Sequence, residues 1–305
     1  MATDNPKNRK VAIIGLKAVT ATEVYSLFVS GRIREVVLVG SEAARLVGEF
    51  RELQAMVPLS NKVELGQGTI DDCVSAGIAV VGGAADSGCG TIVDLRGAVA
   101  EIRRTVTGLH NAGFSGIILV TGSPIELLVR AAVESSSFPS HKIFGIGNRT
   151  DLSSAVSRLS HRWNVPISGS AVHSGTELPK GWCTAASSDI RYVDRCTADC
   201  PFFESLLAKP GLSVSSAAEM QDRSPQRLAA CVTQVCESVI DDLHTAAPVF
   251  VYKDGLVESS VCVITRDGLE NELRKAAGPE SPRNKFADEI WSMVNADPIA
   301  ETRCA

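Results

Sequence analysis

The sequence predicts an α/β fold: a doubly wound parallel sheet over residues 1–148, followed by an α+β half over residues 149–305. Two observations carry this. In the first half, short β-rich apolar runs alternate with longer amphipathic stretches, as in a sheet built from right-handed strand–helix–strand crossovers. After residue 148 the alternation gives way to two helical periodicities and a pair of later strand-like runs. At 305 residues and 45% hydrophobic content, the chain is long enough to bury a large core and divide into two lobes.

The expected strands of the first half are Val11–Ile14, Val36–Val39, Ile78–Val81, Ile117–Val120 and Lys142–Ile146. Between them, Ala21–Ser30, Ala43–Ala55, Leu95–Asn111 and Ile125–Glu134 have helical spacing. In the second half, Asp151–His161 and Pro225–His244 read as helices, and Val249–Tyr252 and Val261–Thr265 as strands. There is no internal repeat, low-complexity tract or long linker.

Charge and cysteine content narrow the class of function. The net charge is -5, and basic residues form no block beyond Lys7–Lys10, which argues against a nucleic-acid or membrane surface and for a small-molecule substrate. The polar N-terminus and the lack of any run of about eighteen apolar residues give an expected cytoplasmic location. Nine cysteines, scattered and odd in number, fit reduced and mostly buried thiols. Neither Cys196 with Cys200 nor Cys231 with Cys236 has the spacing of a zinc half-site, so no metal is expected.

The first expected strand runs into Gly15-Leu16-Lys17-Ala18-Val19-Thr20 and then a helix. This is where a Rossmann-like dinucleotide-binding fold presents its glycine-rich turn, and only the first of three glycines is here. Lys17 can pair with a phosphate or fill the phosphate site with its stem, and Thr20 crowds the helix against the strand. On its own, one glycine after a strand marks a structural turn more often than a cofactor site.

Longer segments are more specific. KVAIIG with VVLVG, VVGGA near Val80, GFSGIILVTGSP at Gly113 to Pro124, FGIG before Asp151, and HSGTELP at His173 to Pro179 occur in an order and spacing that resemble the lactate/malate dehydrogenase family along nearly the whole chain. The resemblance implies a dinucleotide-binding domain followed by an α+β catalytic domain. It makes His173 the proton-exchanging acid/base and Asp151 the carboxylate that fixes its tautomer and raises its basicity. A histidine in a Gly/Ser-rich turn also reads as a plain hydrogen-bonded loop residue.

Other positions depart from the family. The arginine that grips the substrate carboxylate corresponds to Ser154, and the arginine of the mobile loop corresponds to Ile92. Neither side chain can make a bidentate ion pair. A 2-hydroxy acid is therefore not the expected substrate. Arg96 and Arg149 are nearby candidates for a replacement cation. The asparagine that touches the nicotinamide ribose is Ser123, and a pocket-lining threonine is Ser224. At the end of the second strand, Gly40-Ser41-Glu42 stands in place of the acidic residue that accepts NAD ribose hydroxyls. This resembles NADP-using malate dehydrogenases, with Arg45 a turn further on; the same residues also read as a strand end with Ser41 as helix N-cap.

The expectation is an NADP(H)-dependent oxidoreductase acting on a carbonyl or imine in a larger substrate. A redox-neutral isomerase or cyclase that uses His173 and Asp151 for proton transfer is the first alternative. A non-catalytic binding module is the second. The segment Ala43–Ala55, whose GEF-REL is similar to the family's interface helix, adds the expectation of a homodimer.

Overall fold

The computed structural model describes residues 9–15, 20–40, 43–44, 47–48, 63–82, 92–122, 125–146, 225–275 and 291–295. Its nine strands form one sheet in the order β3-β2-β1-β4-β5-β6-β7-β8-β9. Six of them, β1 (Lys10–Ile14), β2 (Glu35–Val39), β3 (Glu64–Gln67), β4 (Ile78–Gly82), β5 (Ile117–Thr121) and β6 (Ile143–Gly145), run parallel. The last three, β7 (Thr245–Lys253), β8 (Leu256–Thr265) and β9 (Gly268–Lys275), add antiparallel to the β6 edge.

The central strands are covered on both faces and are accordingly almost wholly apolar, as in KVAII and IILVT. One face is packed by α1 (Thr20–Ser30) and α4 (Pro225–Asp241), through Val24, Leu27 and Phe28 on the first helix and Val232, Val235 and Val239 on the second. The opposite face is packed by α2 (Ile92–Ala112) and α3 (Ile125–Glu134), through Val99, Ile102, Val106 and Leu109 and then Leu128 and Val129. Each helix follows the strand before it to one side, so the chain leaves β1 toward one face and β4 toward the other.

Helices from the two halves of the chain therefore meet. Thr233 on α4 donates to Ser26 on α1 at 2.8 Å. Asp241, at the last residue of α4, takes Arg9 at 3.3 Å and Arg32 at 2.6 Å. Beyond it, Asp242 has φ 55°, a left-handed conformation that ends the helix three residues before the predicted His244. The expected boundary at 148/149 lies outside the described residues, as does the helix predicted over Asp151–His161.

Two strands were not anticipated. β3 reads ELGQ and β9 reads GLENELRK, each with too few apolar residues to stand out. Both are edge strands, where charge is favoured because it blocks pairing with another chain. The β7–β8 hairpin closes on Asp254 (φ 51°) and Gly255 (φ 85°), the Asp-Gly pair that suits a two-residue turn with both central residues at positive φ. At the C-terminal end, Trp291 lies between Arg103 and Arg130, with guanidinium carbons 5.2 and 4.7 Å from its ring centre.

Candidate functional site

The parallel strand order 3-2-1-4-5-6 reverses direction between β1 and β4, and a crevice opens at the carboxyl ends of strands at such a switch point. In this chain the strand ends at that edge are glycines. Gly15 follows β1 with φ +83°, Gly40 follows β2 with φ +149°, Gly82 ends β4, and Gly122 follows β5 with φ +112°. Three of these conformations are ones that L side chains rarely adopt.

The glycines are also close together. A β-carbon on Gly15 would stand 2.5 Å from the Gly82 carbonyl oxygen, and one on Gly82 would stand 3.4 Å from the Gly15 carbonyl oxygen and 3.5 Å from Thr121 Oγ1. The Gly15 N–H donates to the Val39 carbonyl at 3.2 Å, tying the end of β1 to the end of β2. Ala43 N–H donates to the Gly40 carbonyl at 3.2 Å, so the chain turns at once after Gly40. Among the described residues, the result is a floor of bare backbone with one buried hydroxyl, Thr121, at its β5 side. Such a cradle lets a ligand's phosphates approach main-chain N–H groups without meeting side chains.

Of the residues singled out in the sequence, the structure brings Gly15 and Gly40 to this edge, linked through Val39. Ile92 is the first residue of α2, the helix that follows β4 in the chain. Lys17, Ser41, Ser123, Asp151, Ser154, His173 and Ser224 lie outside the described residues. Arg96, considered as a replacement cation, donates instead from Nη2 to the Met293 carbonyl at 2.8 Å, and Arg103 donates to Asn295 Oδ1 at 2.9 Å.

Sequence reading missed Gly82, Thr121, Gly122 and Glu101. VVGGA and VTGSP carried the first three as part of longer segments, but their convergence with Gly15 comes from strand order. Glu101, in the middle of α2, brings Oε1 to 3.7 Å from the β-carbon position of Gly15, and nothing in its local sequence marks it.

A cavity of about 680 Å³ lies at the other end of the sheet, beside Lys10, Asp71, Ser115, Lys142, Arg266 and Asp267. Its cations are engaged by the protein: Lys10 pairs with Glu35 at 2.7 Å, Lys142 donates to the Ser115 carbonyl at 2.8 Å, and Arg266 to the Ile240 carbonyl at 3.4 Å. It lies at the amino ends of the strands, away from the glycine edge. Among the described residues no group of His, Cys, Asp or Glu is placed to hold a metal ion, and no helix is long and apolar enough to cross a membrane.

Comparison with known proteins agrees with this architecture. Residues 9–145 match the family described as lactate/malate dehydrogenase, NAD binding domain. The chain is 29% identical over 163 residues to the L-lactate dehydrogenase of Borrelia hermsii, an alignment that spans 52% of this chain and 52% of that protein, so it covers about half the length of this relative. To the L-lactate dehydrogenase of Lacticaseibacillus casei it is 24% identical over 308 residues, covering 94% of each chain. Among solved structures, a lactate dehydrogenase from a Medee basin deep-sea metagenome library superposes with a TM-score of 0.72 at 19% identity, covering 94% of this chain and 96% of its own, a likeness of fold. Residues 9–145 thus match the NAD-binding domain of the lactate/malate dehydrogenase family, and nearly the whole chain is similar to lactate dehydrogenases in sequence and fold.

Proposed function

We propose that this protein is an oxidoreductase that binds a nicotinamide dinucleotide, preferentially NADP(H), and reduces a carbonyl or imine in a substrate larger than a simple 2-hydroxy acid. The observation that carries the reading is the glycine-floored crevice at the β1/β4 switch, which leaves backbone open where a dinucleotide's phosphates would lie. When bound, the dinucleotide supplies the hydride. His173 gives the matching proton to the carbonyl oxygen or imine nitrogen, so that the product is an alcohol or amine. Asp151 accepts a hydrogen bond from the imidazole and holds it in the donating tautomer.

The preference for the phosphorylated form follows from Gly40 and Ser41. A side-chain-free residue followed by a hydroxyl leaves room for a 2'-phosphate where an aspartate would repel it, and Gly40 at φ +149° is a poor place for any side chain. The substrate reading follows from Ile92 and Ser154, which leave the positions of the family's two arginines uncharged. A carboxylate there would lose charge-assisted contacts of about 1.5–3 kcal/mol each. Ser123 and Ser224 keep hydrogen-bonding capacity at the nicotinamide and substrate positions. The segment 43–55 completes the proposal as the contact helix of a homodimer, and elution as a monomer on a calibrated sizing column would remove that part.

Titration of the purified protein with NADPH and NADH, followed by fluorescence and calorimetry, tests the core of the reading. Saturable binding, tighter for NADPH, is expected. Binding of neither would sink it, and tighter binding of NADH would remove the assignment of Gly40-Ser41. Given a reducible substrate, His173→Ala is expected to lower kcat by about 10²–10⁴-fold; full turnover would count against proton transfer by this residue.

A further inference from the structure

Residues 291–295 form a single turn of helix, too short to persist without help from the rest of the protein. Trp291 and Val294 are buried in the apolar cluster that holds Val99 and Ile102 of α2 and Leu128 of α3, while Met293 is turned outward. Arg96, one turn into α2, donates from Nη2 to the Met293 carbonyl at 2.8 Å, and Arg103, two turns further on, donates to Asn295 Oδ1 at 2.9 Å. The Trp291 ring also meets the guanidinium of Arg103 at 5.2 Å and that of Arg130, on α3, at 4.7 Å. Arg130 is itself fixed by Glu134 Oε1 at 2.9 Å, which accepts from the Tyr252 hydroxyl of β7 at 3.0 Å. One short segment thus ties α2 to α3.

These are the two helices that follow the glycine floor. α2 is the next helix after β4, which ends at Gly82, and α3 comes after β5 and Gly122. A helix that carries the chain back to the start of the next parallel strand begins at the carboxyl edge of the sheet. The leading turns of both helices therefore border the crevice, and their spacing sets the room above the floor.

We infer that residues 291–295 act as a strap. Docked, they hold α2 and α3 at the spacing that receives the dinucleotide; undocked, they release it. Undocking sacrifices one turn of helix and its contacts at the margin of the core and leaves the sheet intact, which suits a local two-state element. Docking and dinucleotide binding favour the same arrangement, so each strengthens the other. The inference rests on the dinucleotide reading above and adds to it a means of regulating that site from a segment remote in sequence.

The test is calorimetric titration of the full chain with NADPH, alongside melting curves on the same preparations. Trp291→Ala is expected to weaken NADPH binding about fivefold or more, and Trp291→Phe, which keeps a ring between the guanidiniums, to recover most of it. Arg96→Met removes the tie to Met293 and leaves the tryptophan in place; it should weaken NADPH at least about twofold, and it carries the test if Trp291→Ala does not fold. Asp241→Ala, on the helix that covers the opposite face of the sheet, controls for loss of stability alone and should bind as the parent does. In the parent, amide hydrogen exchange over residues 291–295 should slow once NADPH saturates. Parent-like affinity in both strap variants would overturn the inference, as would an equal loss in Asp241→Ala or exchange that NADPH does not alter. If the parent binds no dinucleotide, the function reading fails and takes this inference with it; if the parent binds and the strap variants bind as tightly, this inference alone fails.

Discussion

Gly15 and Gly145 show how much of this fold depends on single atoms that are missing. At Gly15, any β-carbon would meet the Gly82 carbonyl at 2.5 Å in a backbone conformation already costly for L residues. Gly15→Ala is expected to weaken dinucleotide binding more than it lowers the thermal midpoint, because the strand ends must part just where the ligand enters. Calorimetry and a melting curve on one preparation check this; a variant that binds as the parent does would mean that the crevice is elsewhere. Gly145 serves packing alone. A β-carbon there would press on Ile125 and Val129 of α3 at 2.7–2.8 Å, all within a closed core. Gly145→Ala is therefore expected to cost about 1–3 kcal/mol in urea unfolding and leave ligand affinity intact.

Chemistry at the residue scale is equally specific for the thiols. Among the described residues, Cys73, Cys231, Cys236 and Cys262 are buried thiols outside any disulfide, in keeping with the scattered cysteine pattern. Burial pushes the Cys73 thiol up from 9.0 to about 11, and Cys236 is pushed in the same direction by complete burial. Both are kept as unreactive thiols near neutral pH. Peptide mapping after iodoacetamide treatment of the native protein at pH 8 should find these two unlabelled, with labelling once urea is added. Because the folded value of Cys73 lies above the unfolded one, its contribution to stability is complete below about pH 9 and is lost as pH rises through about 11.

At the scale of elements, legibility followed burial. Strands β1, β2, β4, β5 and β6 are covered on both faces and so appear as continuous apolar runs; β3 and β9 are edges, and their polar composition hid them. Helix ends were blurred for another reason: α4 has apolar residues beyond Asp241, and only the left-handed Asp242 and His244 show where the helix stops. The candidate site divides in the same way. Gly15 and Gly40 were legible because a strand, a glycine and a helix follow one another in sequence. Thr121 and Glu101 were not, because crossover topology brings Thr121 to Gly82 and Glu101 to Gly15 from elements distant in the chain. His173 and Asp151 were marked by family resemblance and lie outside the described residues.

Element junctions give their own prediction. The Asp241 side chain, 11% exposed, holds both Arg9 before β1 and Arg32 after α1, so one carboxylate joins the end of α4 to two parts of the nucleotide-binding half. Arg32 is mostly exposed and solvent screens its share. Asp241→Ala is expected to lower stability by about 1–2 kcal/mol in urea unfolding. Asp241→Glu should recover part of it. An unchanged midpoint for Asp241→Ala would mean that the α1–α4 contact rests on its apolar residues alone.

Across the whole molecule, the two halves recognised in the sequence share their structure. β7, β8 and β9 extend the sheet begun by β1 to β6, and α4 covers a face of the parallel strands that α1 alone cannot close. Trp291, between Arg103 and Arg130, brings the last described residues back onto α2 and α3. A fragment ending at residue 148 would therefore expose the apolar face against which Val232, Val235, Cys236 and Val239 pack. Such a face is large enough to drive aggregation or loose collapse. Expressed alone, residues 1–148 should bind a hydrophobic dye strongly and melt without a cooperative transition, although they contain the whole of the family's nucleotide-binding match. A fragment that melts sharply and binds a dinucleotide as the full chain does would show instead that α4 is dispensable to the first half, and that the crevice is complete without the rest of the protein.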